Sequence, residues 1–255
     1  MAIREIIMVE KIKQMKTPLN LLLALLSLSS CTSETSTTPK SEPKFDTSTL
    51  YPSPDVLIPY HTEWTKNNYI KRIAEFKANP LQAGDIVLLG NSITELGENW
   101  GVRFNNPKVK NRGIAGDVSD GIVNRLAEIY YYKPKKVFLK IGVNDLFRNE
   151  LTPAYVASNI QKIVDKIHLE SPATKIYVQT ILPTSNNTPL KSKIAATNTI
   201  IKNSIQTNYY QVIDLHPLFA DANDLIITGY TVDGVHLTEA GYVVWQNYIK
   251  GFVND

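Results

Sequence analysis

Five short strand-like runs recur along this chain, and longer segments separate each run from the next. The runs cover residues 85–89, 109–112, 136–141, 175–182 and 211–215. Strands that alternate with helical segments form parallel sheets, because each crossover returns the chain to the same end of the sheet. The pattern predicts an α/β fold, built as a three-layer α/β/α sandwich.

The segments between the runs carry apolar residues at helical spacing. The clearest set recurs at the i, i+4, i+7, i+8 and i+11 positions of one buried face: Val156, Ile160, Ile163, Val164 and Ile167. Thr152-Pro153 supplies a helix cap and a first-turn proline, and Ser171-Pro172 predicts the end of the same helix. Thr238 is predicted to begin a final helix.

Length and composition predict one domain without a nucleic-acid partner. A chain of 255 residues with 43% hydrophobic content can bury a single sizeable core. We assign that domain to residues 55–255. Its charge is nearly balanced, with 27 basic and 24 acidic residues in the whole chain, which argues against a nucleic-acid-binding surface.

The first 30 residues are predicted to be a signal peptide, with translation starting at Met15. An apolar run over 19–28 is too short for a membrane span of about 20 residues. The Leu-Ser-Ser-Cys that ends at Cys31 resembles the lipobox at which bacterial lipoproteins are cleaved and acylated. An uncleaved anchor, or a buried helix with an incidental cysteine, is the alternative.

A lipid on Cys31 would place the protein in the bacterial cell envelope. Residues 31–54 are predicted to form a flexible tether, because 32–49 are mostly Ser, Thr, Pro and Lys. Thr32 favours the outer membrane, since an Asp retention signal does not follow the cysteine. Cys31 is the only cysteine, so no disulfide is expected.

Four short blocks carry the residues from which chemistry is expected. They are Val87 to Thr94, which contains Ser92; Asn111 to Asp117, which contains Gly116; Val137 to Asp145, which contains Asn144; and Asp233-Gly234-Val235-His236. The first three blocks close successive predicted strands. Ligands of parallel α/β sheets bind beyond the carboxyl ends of the strands, so these blocks are expected to meet at one rim.

In order and local sequence these blocks resemble the conserved blocks of the SGNH (GDSL-like) hydrolases, over about residues 85 to 250. They look most like the branch that contains platelet-activating-factor acetylhydrolase small subunits and sialate O-acetylesterases. The resemblance implies a flavodoxin-like architecture with five parallel strands. It also implies a serine esterase that needs no cofactor or metal.

The chemistry expected of the site is acyl transfer through a serine. A serine hydroxyl needs a base, and the base needs a carboxylate to orient it, which gives Ser92, His236 and Asp233 as the predicted triad. The resemblance assigns the oxyanion hole to the backbone N–H groups of Ser92 and Gly116 and to the side-chain amide of Asn144. One departure is Asn91, where the family usually has Asp.

Other residues compete for these roles. His216 is the rival base, although it lacks the Leu-Thr and helix that follow His236. Gly113 is interpreted as a structural glycine, while His61 and His168 are interpreted as histidines without a catalytic role. Metal binding has little support, because no pair of histidines has ligand spacing.

The expected substrate is a small-molecule or glycan ester, with short-chain acetyl groups on carbohydrates favoured. A lysophospholipase, thioesterase or arylesterase would use the same machinery. A non-catalytic glycan-binding surface lipoprotein is a rival from another class, with Trp100 and Tyr130-Tyr131-Tyr132 as its stacking surface. A flavodoxin-like nucleotide binder is a third choice, weakened because no Gly-rich phosphate loop follows the first strand.

Overall fold

A single five-stranded parallel sheet forms the centre of the protein, as the sequence predicts. The computed structural model describes residues 45–185, 188–204 and 209–255. The strands are β1 Ile86–Gly90, β2 Val109–Gly113, β3 Lys136–Lys140, β4 Lys175–Gln179 and β5 Tyr210–Ile213. Their order is β2-β1-β3-β4-β5, and every neighbouring pair is parallel.

Ten α-helices flank the sheet within the described ranges. They are α1 Glu63–Ala78, α2 Ser92–Glu95, α3 Trp100–Arg103, α4 Ser119–Asn124, α5 Ala127–Tyr132, α6 Val143–Leu146, α7 Pro153–Glu170, α8 Thr188–Asn203, α9 His216–Phe219 and α10 Glu239–Asn254. Two 3₁₀ turns span Thr47–Leu50 and Thr228–Tyr230. The predicted α/β/α sandwich is therefore confirmed.

Helix α7 shows how the sequence determines an element. The hydroxyl of Thr152 caps its start by accepting the N–H of Tyr155 at 3.2 Å, and Pro153 occupies the first turn. All five apolar residues of the predicted face are buried. The helix ends at Glu170, before Ser171 and Pro172, as predicted.

Helix α10 covers one face of the sheet. The rings of Tyr177 on β4 and Phe252 on α10 lie 5.5 Å apart, and Phe138 on β3 stacks on Tyr177. The buried ammonium of Lys136 donates to the carbonyls of Phe252 and Val253. Alternate strand residues point to the opposite layer.

The packed domain begins earlier than residue 55. The compact unit runs from Asp46 to Asp255, and residues 46–54 of the predicted tether belong to it. Leu50 is buried, and the hydroxyl of Tyr51 donates to Glu128 at 2.9 Å. The tether prediction is wrong at its C-terminal boundary, because these apolar side chains have partners in the core.

The predicted signal peptide, the start at Met15 and the lipidated Cys31 lie outside the described residues. Within the described ranges, no helix is both long enough and apolar enough to cross a membrane.

Candidate active site

The first block places Ser92 on a sharp turn between β1 and α2. A side chain at Gly90 would lie 2.4 Å from the carbonyl oxygen of Lys140 on β3, so glycine is required there. Asn91 caps α2, its Oδ1 accepting the N–H of Ile93 at 3.2 Å. The amide oxygen does what a carboxylate oxygen would do at this cap, so the departure from Asp leaves the turn intact.

Ser92, His236 and Asp233 form a continuous chain of hydrogen bonds. The Nε2 of His236 lies 3.0 Å from the Oγ of Ser92, and its Nδ1 lies 2.6 Å from Oδ2 of Asp233. The other oxygen of Asp233 accepts the backbone N–H groups of Val235 and His236. Burial alone would raise the pKa of Asp233, but hydrogen bonds from His236 and these N–H groups hold it below its usual value.

Three hydrogen-bond donors follow the neighbouring strands β1, β2 and β3 at the same end of the sheet. Within the described residues, the N–H groups of Ser92 and Gly116 donate no intramolecular hydrogen bond. Gly116 has φ +81°, and an added side chain would collide with Thr65, which lies beside it. The amide of Asn144 donates one hydrogen to the carbonyl of Asp117 at 2.9 Å and keeps a second one free.

A buried carboxylate supports the loop that carries Gly116. Asp117 accepts hydrogen bonds from Nε2 of His61 at 3.0 Å and from Nε of Arg125 at 3.1 Å. Arg125 also donates to the carbonyls of Arg112 and Gly90. Two strand ends and the Gly116 loop are thereby fixed to one guanidinium.

His61 is the supporting residue that the sequence interpretation missed. It lies 56 positions before Asp117 along the chain, in a segment without strand or helix periodicity. Its partner is therefore visible only in three dimensions. The ring is buried and also packs edge-on against Tyr69 at 5.2 Å.

A second carboxylate, Asp145, supports the loop from the other side. It accepts the backbone N–H and the hydroxyl of Ser119, the first residue of α4. Burial raises the pKa of Asp145 to about 6, against the lowering effect of those hydrogen bonds. Asp145 lies on α6 directly after Asn144, and Ser119 lies on α4. Their hydrogen bonds therefore hold these two helices in fixed relative positions.

The loop with Asp233 and His236 is held by the segment after β4. The N–H of Ser185 donates to the carbonyl of Gly234 at 2.9 Å. Gly234 has φ +89°, and a side chain there would overlap the Ser185 hydroxyl. The hydroxyl of Thr231 further bridges the carbonyl of His236 and the N–H of Gly234.

Comparison with known proteins identifies the family. Residues 88–244 match the model of the GDSL-like lipase/acylhydrolase family. The chain belongs to this family. Human platelet-activating factor acetylhydrolase IB subunit alpha2 is 30% identical over 165 residues, which cover 62% of this chain and 71% of that protein. With this membership, the protein is a hydrolase that acts on ester bonds.

Solved structures of other esterases and lipases share the fold. A GDSL-like lipase from Bacteroides thetaiotaomicron superposes with a TM-score of 0.65 at 24% identity, over 73% of this chain and 97% of that one. A mutant of an acetyl-xylooligosaccharide esterase from Geobacillus gives 0.57 at 17% identity, over 69% and 96%. The architecture of this acylhydrolase is therefore that of its family.

The competing residues of this acylhydrolase have other contacts. His216 lies with Nδ1 2.8 Å from the carbonyl oxygen of Ile181 and Nε2 2.7 Å from Asp224, so both ring nitrogens are engaged away from Ser92. Gly113 ends β2 against the backbone of Glu95, where a side chain would collide, in agreement with its structural interpretation.

The stacking surface of the glycan-binding rival lacks its tryptophan, because Trp100 is 1% exposed and lies in the core. Of its three tyrosines, Tyr130 and Tyr132 pack partly against that core and Tyr131 is exposed. His168 stacks on Tyr209 with ring centroids 4.2 Å apart. Within the described residues, no group of three His, Cys, Asp or Glu side chains could hold a metal ion.

Proposed function

We propose that this acylhydrolase removes short acyl groups, chiefly acetyl, from carbohydrate esters through an acyl-enzyme on Ser92. The chain of hydrogen bonds from Ser92 through His236 to Asp233 is the observation that carries the proposal. It supplies a nucleophile, a base within 3.0 Å and a carboxylate that fixes the ring, the three groups that form and resolve an acyl-enzyme.

In the first half of the reaction the Oγ of Ser92 attacks the ester carbonyl carbon, and Nε2 of His236 takes the hydroxyl proton. The carbonyl oxygen becomes an oxyanion that the N–H groups of Ser92 and Gly116 and the Asn144 amide stabilise. The bond to the alcohol oxygen then breaks, and His236 gives its proton to the departing alcohol.

Water completes the cycle. His236 removes a proton from water as the water oxygen attacks the acyl carbon. A second oxyanion forms, and the same three donors stabilise it. Its collapse breaks the bond to Ser92 Oγ, which recovers the proton from His236. The products are a carboxylic acid and the free enzyme.

The acetyl preference is supported by what the related proteins are called. One is an acetylhydrolase and another an acetyl-xylooligosaccharide esterase. Both names describe removal of the same two-carbon acyl group, from different alcohols. Carbohydrate is the alcohol that we favour, because the envelope location that we propose would bring the enzyme to glycan esters.

An apolar rim favours a second candidate, hydrolysis of esters with a larger apolar part. We define the rim by four exposed side chains that lie close in sequence to residues of the site or in contact with it: Trp64 at 63% exposure, which precedes the Thr65 beside Gly116, Leu96 at 49%, Phe147 at 47% and Val232 at 68%. Lysophospholipids or aryl esters could bury such a rim, and each exposed apolar group covered would add to binding.

The rim is attached to the catalytic elements themselves. Leu96 follows Ser92 by four residues and Phe147 follows Asn144 by three, spacings that place two side chains on the same face of a helical turn. Val232 directly precedes Asp233. A bound ester would therefore pass the rim on its way to Ser92.

The mechanism is tested by changing Ser92 to alanine and measuring hydrolysis of p-nitrophenyl acetate. We expect turnover to fall to background and a fluorophosphonate probe to stop labelling the protein. Ser204→Ala, at the end of α8, is the control and should behave like the wild type. Turnover near the wild-type rate in Ser92→Ala would sink the proposal.

The substrate is tested with p-nitrophenyl acetate, butyrate and octanoate beside acetylated xylo-oligosaccharides and lysophosphatidylcholine. Our proposal requires the highest kcat/KM on acetyl esters and release of acetate from the oligosaccharides. A preference for octanoate and lysophosphatidylcholine would select the second candidate instead. Trp64→Ala should then weaken hydrolysis of the long esters more than that of acetate.

We also propose that Cys31 carries a lipid that anchors the enzyme in the cell envelope, on the outer membrane. The motif around Cys31 supports this proposal. Metabolic labelling with a fatty acid should mark the wild-type protein in the membrane fraction. A Cys31→Ser protein that keeps the label would contradict the anchor.

A further inference from the structure

Two buried polar side chains stand side by side on the face of the sheet that α10 covers. Phe138 and Tyr177 are neighbours across β3 and β4, and their rings stack at 4.7 Å. Because strand side chains repeat every second residue, Lys140 and Gln179 take the next pair of places on that face. Both are almost fully buried.

A third polar group continues this row on β1. Gly90 pairs with Lys140 across the strands, and the hydroxyl of Thr94 lies where a side chain of Gly90 would stand. Thr94 is buried as well. We call Thr94, Lys140 and Gln179 the buried polar row.

Two tryptophans form the apolar cover of this row. The Nζ of Lys140 lies 5.6 Å from the ring centre of Trp245, whose Nε1 donates to Oε1 of Gln179 at 2.6 Å. Trp100 lies 4.8 Å from Trp245 and donates its own Nε1 to the carbonyl of Thr94. All three members of the row are thus confined under one aromatic layer.

The row presents more hydrogen-bond donors than acceptors, because the Thr94 hydroxyl is its only group with a free acceptor. The oxygen of the Gln179 amide is used by Trp245, so its Nε2 can only donate, and neither that atom nor the Thr94 hydroxyl has a partner in the described residues. The ammonium of Lys140 has three donor hydrogens and no acceptor, and the neighbour recorded for its Nζ is the face of the Trp245 ring. Burial lowers the pKa of Lys140 to about 7, with no charged side chain contributing to the shift.

An excess of donors favours a ligand that accepts. A water oxygen accepts two hydrogen bonds, fewer than the donor hydrogens of the Lys140 ammonium, the Gln179 amide and the Thr94 hydroxyl together. We propose that the buried polar row binds a small monovalent anion of the halide class. The negative charge compensates the buried ammonium, whose desolvation is otherwise unbalanced.

A bound anion would stabilise the chain segments that carry the proposed catalytic residues. Thr94 lies two residues after Ser92, and Lys140 lies four residues before Asn144. An anion shared between them would tie the exits of β1 and β3 to α10. The inference concerns the scaffold and does not depend on which ester the enzyme hydrolyses.

Thermal unfolding of the full chain at pH 6 tests the proposal, as chloride replaces gluconate at constant ionic strength. An anion that binds only the folded state raises Tm progressively with its concentration. We expect such a rise in the wild type and its loss in Lys140→Met. The control is Lys136→Met, because Lys136 is a buried lysine of the same strand and face whose ammonium is satisfied by carbonyls.

A second variant covers the case in which Lys140→Met does not fold. Gln179→Glu keeps an oxygen for Trp245 and places a carboxylate beside Lys140, so it should abolish the chloride response while it preserves the fold. Crystals soaked in bromide should show an anomalous peak at the row. A chloride response that persists in both variants, or an ordered water in place of bromide, would overturn the anion site.

Discussion

At the scale of single residues, Asn144 is the proposed oxyanion donor whose contribution can be isolated. Its amide carries no charge, and one of its hydrogens is already bound to the carbonyl of Asp117. Asn144→Ala should lower kcat by about 10²- to 10³-fold with little change in KM, since such donors act mainly in the transition state. Asn149→Ala, exposed and five residues further on, is the control in the same p-nitrophenyl acetate assay.

His61 should act through Asp117 as a positioning residue. Its loss removes a 3.0 Å hydrogen bond under the Gly116 loop but touches no reacting atom. We expect His61→Leu to reduce kcat by about tenfold, which corresponds to about 1.4 kcal/mol of transition-state stabilisation. His61→Gln can still donate to Asp117 and should recover most of the rate. Equal losses in the two variants, or an effect on KM alone, would argue against this role.

The residues of the first three blocks could be predicted because each block follows a strand within a few positions of sequence. Ser92, Gly116 and Asn144 lie at one sheet edge as expected, and their catalytic roles stay predictions. His61 could not be found in this way, because its contact with Asp117 is long-range and the surrounding segment has no periodicity. The burial of the Lys140 amine could not be predicted either, because a lysine within an apolar run does not reveal which face of the sheet it occupies.

At the scale of elements, one buried ion pair connects the edge strand β2 to α5. Arg112 donates from Nε and Nη2 to both carboxylate oxygens of Glu128, which also accepts the N–H of Leu81 and the hydroxyl of Tyr51. Removing one partner leaves a buried charge without compensation. Glu128→Ala should lower the free energy of unfolding by about 3 to 5 kcal/mol in urea titrations.

A milder substitution removes one hydrogen bond to Glu128 from a neutral donor and leaves the ion pair with Arg112 in place. Tyr51→Phe removes only the hydroxyl that donates to Glu128, so the free energy of unfolding should fall by about 1 kcal/mol. This comparison also measures how firmly the segment after Asp46 is attached to the domain. No loss in Tyr51→Phe would mean that the segment contributes nothing to stability through this contact.

Strand and helix positions were predictable to within a few residues, because β-like runs and the 3.6-residue period are local signals. The start of the domain was not. Residues 46–54 look like the end of a polar tether, yet Leu50 and Tyr51 find partners on α5 and the core. A single apolar residue between polar ones carries no period, so only the fold reveals that it is buried.

At the scale of the whole molecule, the sequence predicted the sandwich because four crossovers between five parallel strands admit few other arrangements. The strand order β2-β1-β3-β4-β5 places β1 and β3 side by side at the centre. Ser92 and Asn144 leave these two central strands, and Gly116 follows the adjacent β2. The active site therefore follows from topology once the ends of the strands are known.

The stability of the molecule should depend on pH through Lys140. Its pKa is lowered to about 7 in the folded state from 10.5, so above pH 7 the unfolded chain binds more protons than the folded one. The stability gained from this difference in proton binding is fully present above the unfolded-state pKa of 10.5. It decreases as pH falls and is lost once pH drops through the folded-state pKa of about 7. In gluconate buffer, the free energy of unfolding of the wild type should therefore rise relative to that of Lys140→Met between pH 7 and 10. Chloride should flatten this rise, because a bound anion keeps the lysine protonated. Parallel curves for the two proteins in urea titrations would show that Lys140 does not titrate in this range.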